Sequence, residues 1–133
     1  EAPMHLNHVD LQVGDVQATA AFFELFFGFT HTSNRASRAI AILRGDDGFT
    51  LVLQRRTEGD RYPNGFHIGF IVEDEAIVRR MHAELARSGA PVSDVQMNGR
   101  GTMIYCKHDG FLVEVSCRPA GSIPVGDGRN ARG

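Results

Sequence analysis

Tryptophan is absent from this sequence, and its 133 residues include only two cysteines, two tyrosines and five prolines. Two cysteines cannot build the disulfide framework of a small secreted domain. Cys106 and Cys117 fit neither a zinc-binding spacing nor a redox Cys-x-x-Cys pair. Both read as reduced thiols in strands, and a cytoplasmic location is expected on that ground. No long apolar run is present either. The longest apolar cluster, Ala20 to Phe29, is interrupted by Glu24 and contains Gly28. It falls well short of the roughly 20 residues that cross a bilayer, so no membrane partner is expected. The start, Glu1-Ala2-Pro3-Met4, lacks a basic segment followed by an apolar stretch, and no signal peptide is expected. There is no excess of charge of one sign. The formal net charge is −2, which argues against binding to nucleic acid, where a basic footprint is the rule. What remains is an ordinary globular composition, 42% hydrophobic and 23% charged, in a chain long enough for a real core.

What the sequence does have is itself, twice. His8-Val9-Asp10-Leu11-Gln12-Val13-Gly14-Asp15 lies over His67-Ile68-Gly69-Phe70-Ile71-Val72-Glu73-Asp74, with His on His, Asp on Asp and apolar residues matched between them. Farther on, Asp47-Gly48-Phe49-Thr50-Leu51-Val52-Leu53-Gln54 lies over Asp109-Gly110-Phe111-Leu112-Val113-Glu114-Val115-Ser116. A few inserted residues in the second copy separate the two matches.

Each copy has the same order of elements. Leu6–Val13 alternates as a strand does. Asp15 can cap a helix whose buried stripe is Val16, Ala20, Phe23 and Phe27, and Gly28 can end it in the left-handed conformation. In the second copy Phe66–Val72 is the strand, Asp74 or Glu73 the cap, and Ile77, Met81 and Leu85 the stripe. Gly89 and Pro91 stop that helix. Three strand-like runs follow each helix, near 29–33, 38–43 and 50–55, then near 92–97, 102–107 and 111–117. The last two of each set are joined by the turns Gly45-Asp46-Asp47-Gly48 and His108-Asp109-Gly110. The expected fold is therefore α+β, two βαβββ modules in tandem. Module one covers 4–56, a polar linker 57–65, and module two 66–118, followed by an irregular tail over 119–133 rich in Gly, Pro and Arg.

Strand alternation then selects candidate site residues. His8, Asp10 and Gln12 share one face of the first strand, opposite Val9, Leu11 and Val13, which should pack on the helix. In the last strand Leu112, Glu114 and Ser116 lie opposite Val113 and Val115, and His67 shares its face with Gly69 and Ile71. Repeated units pair most simply about a local two-fold axis, which sets equivalent positions facing one another. One such pair is His8 and His67; the other is Val52 and Glu114. Two imidazoles and one carboxylate form a facial triad that holds a divalent metal and leaves coordination positions open. His8, His67 and Glu114 are accordingly the expected metal ligands, with Fe, Mn, Zn, Ni or Co as the ion. The remaining histidines, His5, His31, His82 and His108, are expected to lie on the surface. Asp10, one pleat from His8, is a candidate general base or a hydrogen-bonded neighbour of the site.

The series His-x-x-Leu-x-Val-x-Asp, a Phe-rich helix ending Phe27-Gly28-Phe29, then His67 and Asp109-Gly110-x-x-x-Glu114, resembles the vicinal oxygen chelate superfamily. That group includes glyoxalase I, extradiol dioxygenases, fosfomycin-resistance enzymes and bleomycin-binding proteins. The resemblance implies that the modules form a cupped mixed sheet around a central cavity with a metal that chelates neighbouring oxygens of a small-molecule substrate. It also implies His8, His67 and Glu114 as its ligands.

Three departures bear on the reaction. Glyoxalase I has a further Glu ligand where this chain has Val52, with Gln54 two residues on. The fosfomycin enzymes have a Thr where Asp10 stands. The extradiol enzymes have a Tyr ten positions before the Glu, where this chain has Ile104, with Tyr105 one residue away and so expected on the other strand face unless a bulge intervenes. Tyr105 and Asp10 are the catalytic candidates. The expected function is a metal-dependent enzyme acting on a small oxygen-rich molecule, dioxygenase-like or glyoxalase/fosfomycin-resistance-like. The alternative is a non-catalytic protein that sequesters an antibiotic or metabolite. A homodimer is expected, since cyclic dimers dominate among oligomers.

Overall fold

A computed structural model of the chain describes residues 2–119, so the expected tail lies outside the described residues except for Pro119. The chain divides into two compact units, Glu1–Tyr62 and Pro63–Gly133. The first contains β1 (His8–Val13), α1 (Val16–Phe27), β2 (Thr30–His31), β3 (Ile40–Arg44) and β4 (Thr50–Arg55). The second contains β5 (His67–Ile71), α2 (Glu75–Arg87), β6 (Gln96–Asn98), β7 (Gly101–His108) and β8 (Phe111–Cys117). Each unit is a βαβββ module with one four-stranded mixed sheet, ordered β1-β4-β3-β2 in the first and β5-β8-β7-β6 in the second. In both, the first strand runs parallel to the last, and the other pairs are antiparallel.

The helix of each unit packs on one face of its sheet. In unit 1 Leu11, Val13, Ala41, Leu43, Leu51 and Leu53 are buried with Val16, Ala20, Phe22 and Phe23 of α1. Phe23 is fully buried, and its ring lies 5.4 to 5.8 Å from those of Phe22, Phe27 and Phe29. Each such side chain contributes about 1.5–3 kcal/mol by leaving water. In unit 2 Ile104, Cys106, Phe111, Val113 and Val115 are buried with Val78, Met81 and Leu85 of α2. The α2 stripe thus runs through Val78, fully buried, whereas Ile77 is half-buried. Both 77 and 78 are apolar, and contact with the sheet decided which of them faces inward.

Both helices start and stop as their cap residues dictate. The Asp15 carboxylate accepts from the Ala18 N–H and the Asp74 carboxylate from the Ala76 N–H, satisfying donors left open at the first turn. Gly28 ends α1 at φ 71°. The segment between β2 and β3 is tied back to α1. Gln17 donates to the Ser37 carbonyl and accepts from His31 Nε2, whose Nδ1 accepts from the Ser33 N–H. His31 is therefore a half-buried structural residue and not the surface residue its place after a helix suggested. The ring joins β2 and the residue pair after it to Gln17 of α1, a contact that spacing along the chain does not give.

The exposed edge of β1 is covered as well: the Gln12 N–H donates to the Tyr62 hydroxyl at 2.7 Å. That occupies a donor which an added strand would otherwise pair with.

The hairpin of β7 and β8 turns on Asp109 and Gly110, both at positive φ (47° and 86°), the conformation a two-residue primed turn needs. At the start of β7, Gly101 sits at φ 125° against the end of β8, and a Cβ there would stand 2.0 Å from the Cys117 carbonyl oxygen. No side chain fits without moving backbone. Gly101→Ala is expected to cost about 3 kcal/mol, combining φ strain with overpacking, and to lower the urea midpoint correspondingly. An unchanged midpoint would show that the β7 start is not held as described.

Cys106 is buried and Cys117 half-buried, both as free thiols. Burial pushes the Cys106 thiol above its ordinary range. Its protonated form is favoured in the folded state, so this contribution to stability is intact below the ordinary thiol range and is lost as pH rises through the folded value. A thiol reagent at pH 8 should label Cys117 first and Cys106 only on unfolding. Removal of the rapid phase by Cys106→Ser instead of Cys117→Ser would reverse that assignment.

Candidate functional site

Because the helix occupies one face of each sheet, the chemistry-bearing residues emerge on the other. In unit 1 this face carries His8, Asp10 and Gln12 from β1, beside Thr50, Val52 and Gln54 from β4 in parallel register. All three β1 residues are exposed. The His8 Nδ1 lies 2.8 Å from the Asn7 side-chain oxygen. An amide oxygen only accepts, so Nδ1 carries the proton and Nε2 presents its lone pair. Asp10 stands directly across from Val52 and accepts a hydrogen bond from the Gln54 amide. Gln54 is thus the partner of Asp10, which fixes the carboxylate on this face.

In unit 2 the corresponding face carries His67 and Gly69 from β5, Leu112 and Glu114 from β8, and Met103 and Tyr105 from β7. His67 Nδ1 lies 2.9 Å from the Gly65 carbonyl oxygen, so it too donates there and directs Nε2 outward. That Nε2 stands 3.5 Å from Glu114 Oε1. An imidazole nitrogen and a carboxylate oxygen at this separation can share a cation, either a proton or a metal ion. Two donor atoms about 2.1 Å from one tetrahedral ion stand about 3.4 Å apart, so the donor set fits a metal. Gly69 lies beside Glu114 in register and leaves a notch: a Cβ there would rest 3.6 Å from the Glu114 Cβ. Among the described residues no three His, Cys, Asp or Glu side chains gather closely enough to hold a metal ion. The pair in unit 2 offers two groups able to ligate, and His8 belongs to unit 1.

Tyr105 falls on the Glu114 face, with no bulge. The two-residue turn sets Tyr105 directly across from Glu114 and sends Ile104 to the helix side. The expectation that Tyr105 would turn away is corrected by this register. Counting residues along the chain misleads here, because the length of the turn decides which parity on β7 faces Glu114. The Tyr105 ring stands edge-on to His67, centroids 6.0 Å apart and planes at 89°. Desolvation and then the neighbouring Glu114 carboxylate push the Tyr105 phenol above its ordinary value, while the Arg100 guanidinium pulls it back. Arg100 is the residue that reading the sequence missed. It lies in the β6–β7 turn, and only the hairpin fold brings it back toward Tyr105.

A recess of about 510 Å³ in unit 1 is lined by Gly14, Val16, Gln17, Ser37, Arg38 and Arg55, among others. None of the candidate residues lines it.

The sequence profile of the Glyoxalase/Bleomycin resistance protein/Dioxygenase superfamily matches residues 5–115. The chain belongs to this superfamily. A structure described as a possible glyoxalase from Bacillus cereus is 34% identical, covers 86% of this chain and all of its own, and superposes with a TM-score of 0.78. Two more distant structures share the fold. Lactoylglutathione lyase from Agrobacterium tumefaciens is 18% identical, with a TM-score of 0.71 over 88% of this chain and 96% of its own. The fosfomycin resistance protein FosX from Listeria monocytogenes, complexed with Mn(II) and sulfate, is 20% identical, with a TM-score of 0.70 over 90% of this chain and 94% of its own. No curated protein matches the chain. Among the described residues no helix is long and apolar enough to cross a membrane.

The surroundings of Tyr105 can be checked in the metal-free protein by phenolate absorbance. Tyr105 is expected to ionise above 10.0, in a late transition that Tyr105→Phe removes. Glu114→Gln should lower that transition and Arg100→Gln raise it. A transition unmoved by Glu114→Gln would mean that the carboxylate does not face the phenol.

Proposed function

We propose that this protein is a metal-dependent enzyme that acts on a small molecule through two neighbouring oxygens, with His8, His67 and Glu114 as the ligands of one divalent cation. The observation that carries the reading is the His67–Glu114 pair. Its imidazole is held by the Gly65 carbonyl so that Nε2 meets the carboxylate, in a notch left by Gly69. The repeat adds the third ligand, since His8 occupies in the first module the place of His67 in the second and presents the same nitrogen. The Mn(II) in FosX and the lyase named among the relatives favour the same class of chemistry.

A divalent ion in such a site acts as a Lewis acid on the oxygens of the bound molecule. The chain's own residues supply the rest. Tyr105 holds its proton to high pH, so at neutral pH its hydroxyl donates to a substrate oxygen that gains negative charge. Asp10, held by Gln54, is a carboxylate of the first module able to take a proton. Val52 sits across from Asp10, where a fourth ligand would otherwise stand.

Elemental analysis and calorimetry on the metal-free chain should show uptake of one Fe, Mn, Zn, Ni or Co ion. His67→Ala and Glu114→Gln should each weaken it on the order of 100-fold or more, beyond the cost of losing a group that merely orients a ligand. Failure of the wild-type chain to bind any of these ions overturns the proposal. Tight binding of a small molecule that is indifferent to His67→Ala would favour a sequestering protein instead.

A further inference from the structure

The recess of unit 1 takes no part in the reading above. It opens where β1 hands the chain to α1 and where β4 ends. Arg55, at that end of β4, shares the helix-side parity of Leu51 and Leu53, opposite the face that carries Asp10 and Gln54. The volume of about 510 Å³ falls within the ~300–1,000 Å³ of small-molecule sites. Two arginines line the recess, Arg38 and Arg55, and among the described residues neither has a carboxylate within ion-pair distance. Arg35, Arg79 and Arg80 each have one. Asp15 also lines the recess, but its carboxylate is engaged by the Ala18 N–H as the cap of α1.

The backbone that carries these groups is fixed. Gln17 donates to the Ser37 carbonyl at 2.7 Å, and the Ser37 N–H to the Asn34 carbonyl at 3.2 Å. The Arg55 N–H donates to the Ala39 carbonyl and the Arg56 N–H to the Val13 carbonyl, which ties the loop, β4 and β1 together around the opening. The Ser37 Oγ accepts from the Ala39 and Ile40 N–H groups, each at 3.2 Å, and among the described residues it donates to none. Its proton is therefore left for a ligand. Module two does not repeat this arrangement, since Cys117 stands in the place of Arg55.

Two like charges on one recess repel, and an anion between them turns that repulsion into attraction. Guanidinium groups pair with phosphate through forked N–H donors. Three donor groups at three separate backbone positions suit a tetrahedral oxyanion, which presents three outer oxygens, better than a carboxylate, which presents two. We infer that this recess is a second ligand site, one that binds a phosphate group, with Arg38 and Arg55 as its cationic partners and the Ser37 hydroxyl as its neutral donor. Val16 and Ala36 supply apolar wall for the organic part of a phosphorylated small molecule. The site stands on the helix side of module one and needs no metal, so it is independent of the proposed function.

The experiment is an NMR titration of the metal-free, full-length chain with inorganic phosphate, glycerol phosphate and glycerol, at constant ionic strength so that screening does not change. Both phosphates should shift the Gly14 and Ser37 amide signals in a saturable way, and glycerol should not. Arg38→Gln and Arg55→Gln should each weaken phosphate binding about tenfold or more, the loss of one charge-assisted contact. Ser37→Thr, which keeps the hydroxyl, should retain more of the binding than Ser37→Ala. Arg80→Gln, on α2 of the other unit, should change nothing. Tighter binding of glycerol phosphate assigns the recess to a phosphorylated small molecule, and equal binding assigns it to phosphate itself; either supports the site. Absence of saturable shifts at Gly14 and Ser37, shifts confined to His67 and Gly69, or binding untouched by both arginine substitutions overturns the inference.

Discussion

One helix per four-stranded sheet is the constraint on which the rest of this protein depends. A sheet with both faces apolar would need two covering layers. Here α1 and α2 each cover one face, and the apolar side chains that meet them make up most of the core of their unit. The other face is not covered by the helix. Polar and ionisable side chains can stand there without the cost of burying an unpaired charge. His8, Asp10, His67, Tyr105 and Glu114 all emerge on that face, and none of them is buried. Stability and chemistry are thereby divided between two sides of the same strands, residue by residue.

The parallel pairing of first and last strands is the second element of the design. It sets β5 beside β8, and so brings His67 and Glu114, far apart in the chain, within 3.5 Å. Gly69 is the residue across from Glu114, and its missing side chain leaves the carboxylate approachable from above the sheet. Backbone carbonyl and amide oxygens then fix the imidazoles. His67 is held by Gly65 and His8 by Asn7, each through Nδ1, so in both modules Nε2 is the nitrogen that these neighbours leave unengaged. This sameness is what a duplicated unit should retain if both copies serve one site.

The two modules differ where their loops differ. Module one binds its long β2–β3 connection to α1 through Gln17, His31 and Ser33, and covers the edge of β1 with Tyr62. Module two has a tight primed turn between β7 and β8 and a glycine-pinned turn before β7. These turns set Tyr105 and Arg100 around Glu114. The matching places in module one hold Ile42 and Val52 side by side, both apolar. The ionisable cluster is therefore a property of the second copy, while the first carries His8 and the Asp10–Gln54 pair on its own sheet.

The amino-acid sequence by itself determined the fold class. Alternation, capping aspartates, glycine stops and the internal repeat are local or near-local signals, and each acts through backbone geometry that neighbours only reinforce. It also determined that His8, Asp10, His67 and Glu114 lie opposite the helix, because parity along a strand is a local property. Tertiary structure alone decided the relations that cross between segments. The two-residue turn placed Tyr105, and not Ile104, across from Glu114, since register passes through the loop and one residue of loop length reverses every face. Contact with the sheet put Val78 inward in place of Ile77. Hydrogen bonding tied His31 to Gln17 of α1 and Gln54 to Asp10, and the fold of a turn carried Arg100 back to Tyr105. Such contacts depend on distances in space that no spacing in the chain encodes.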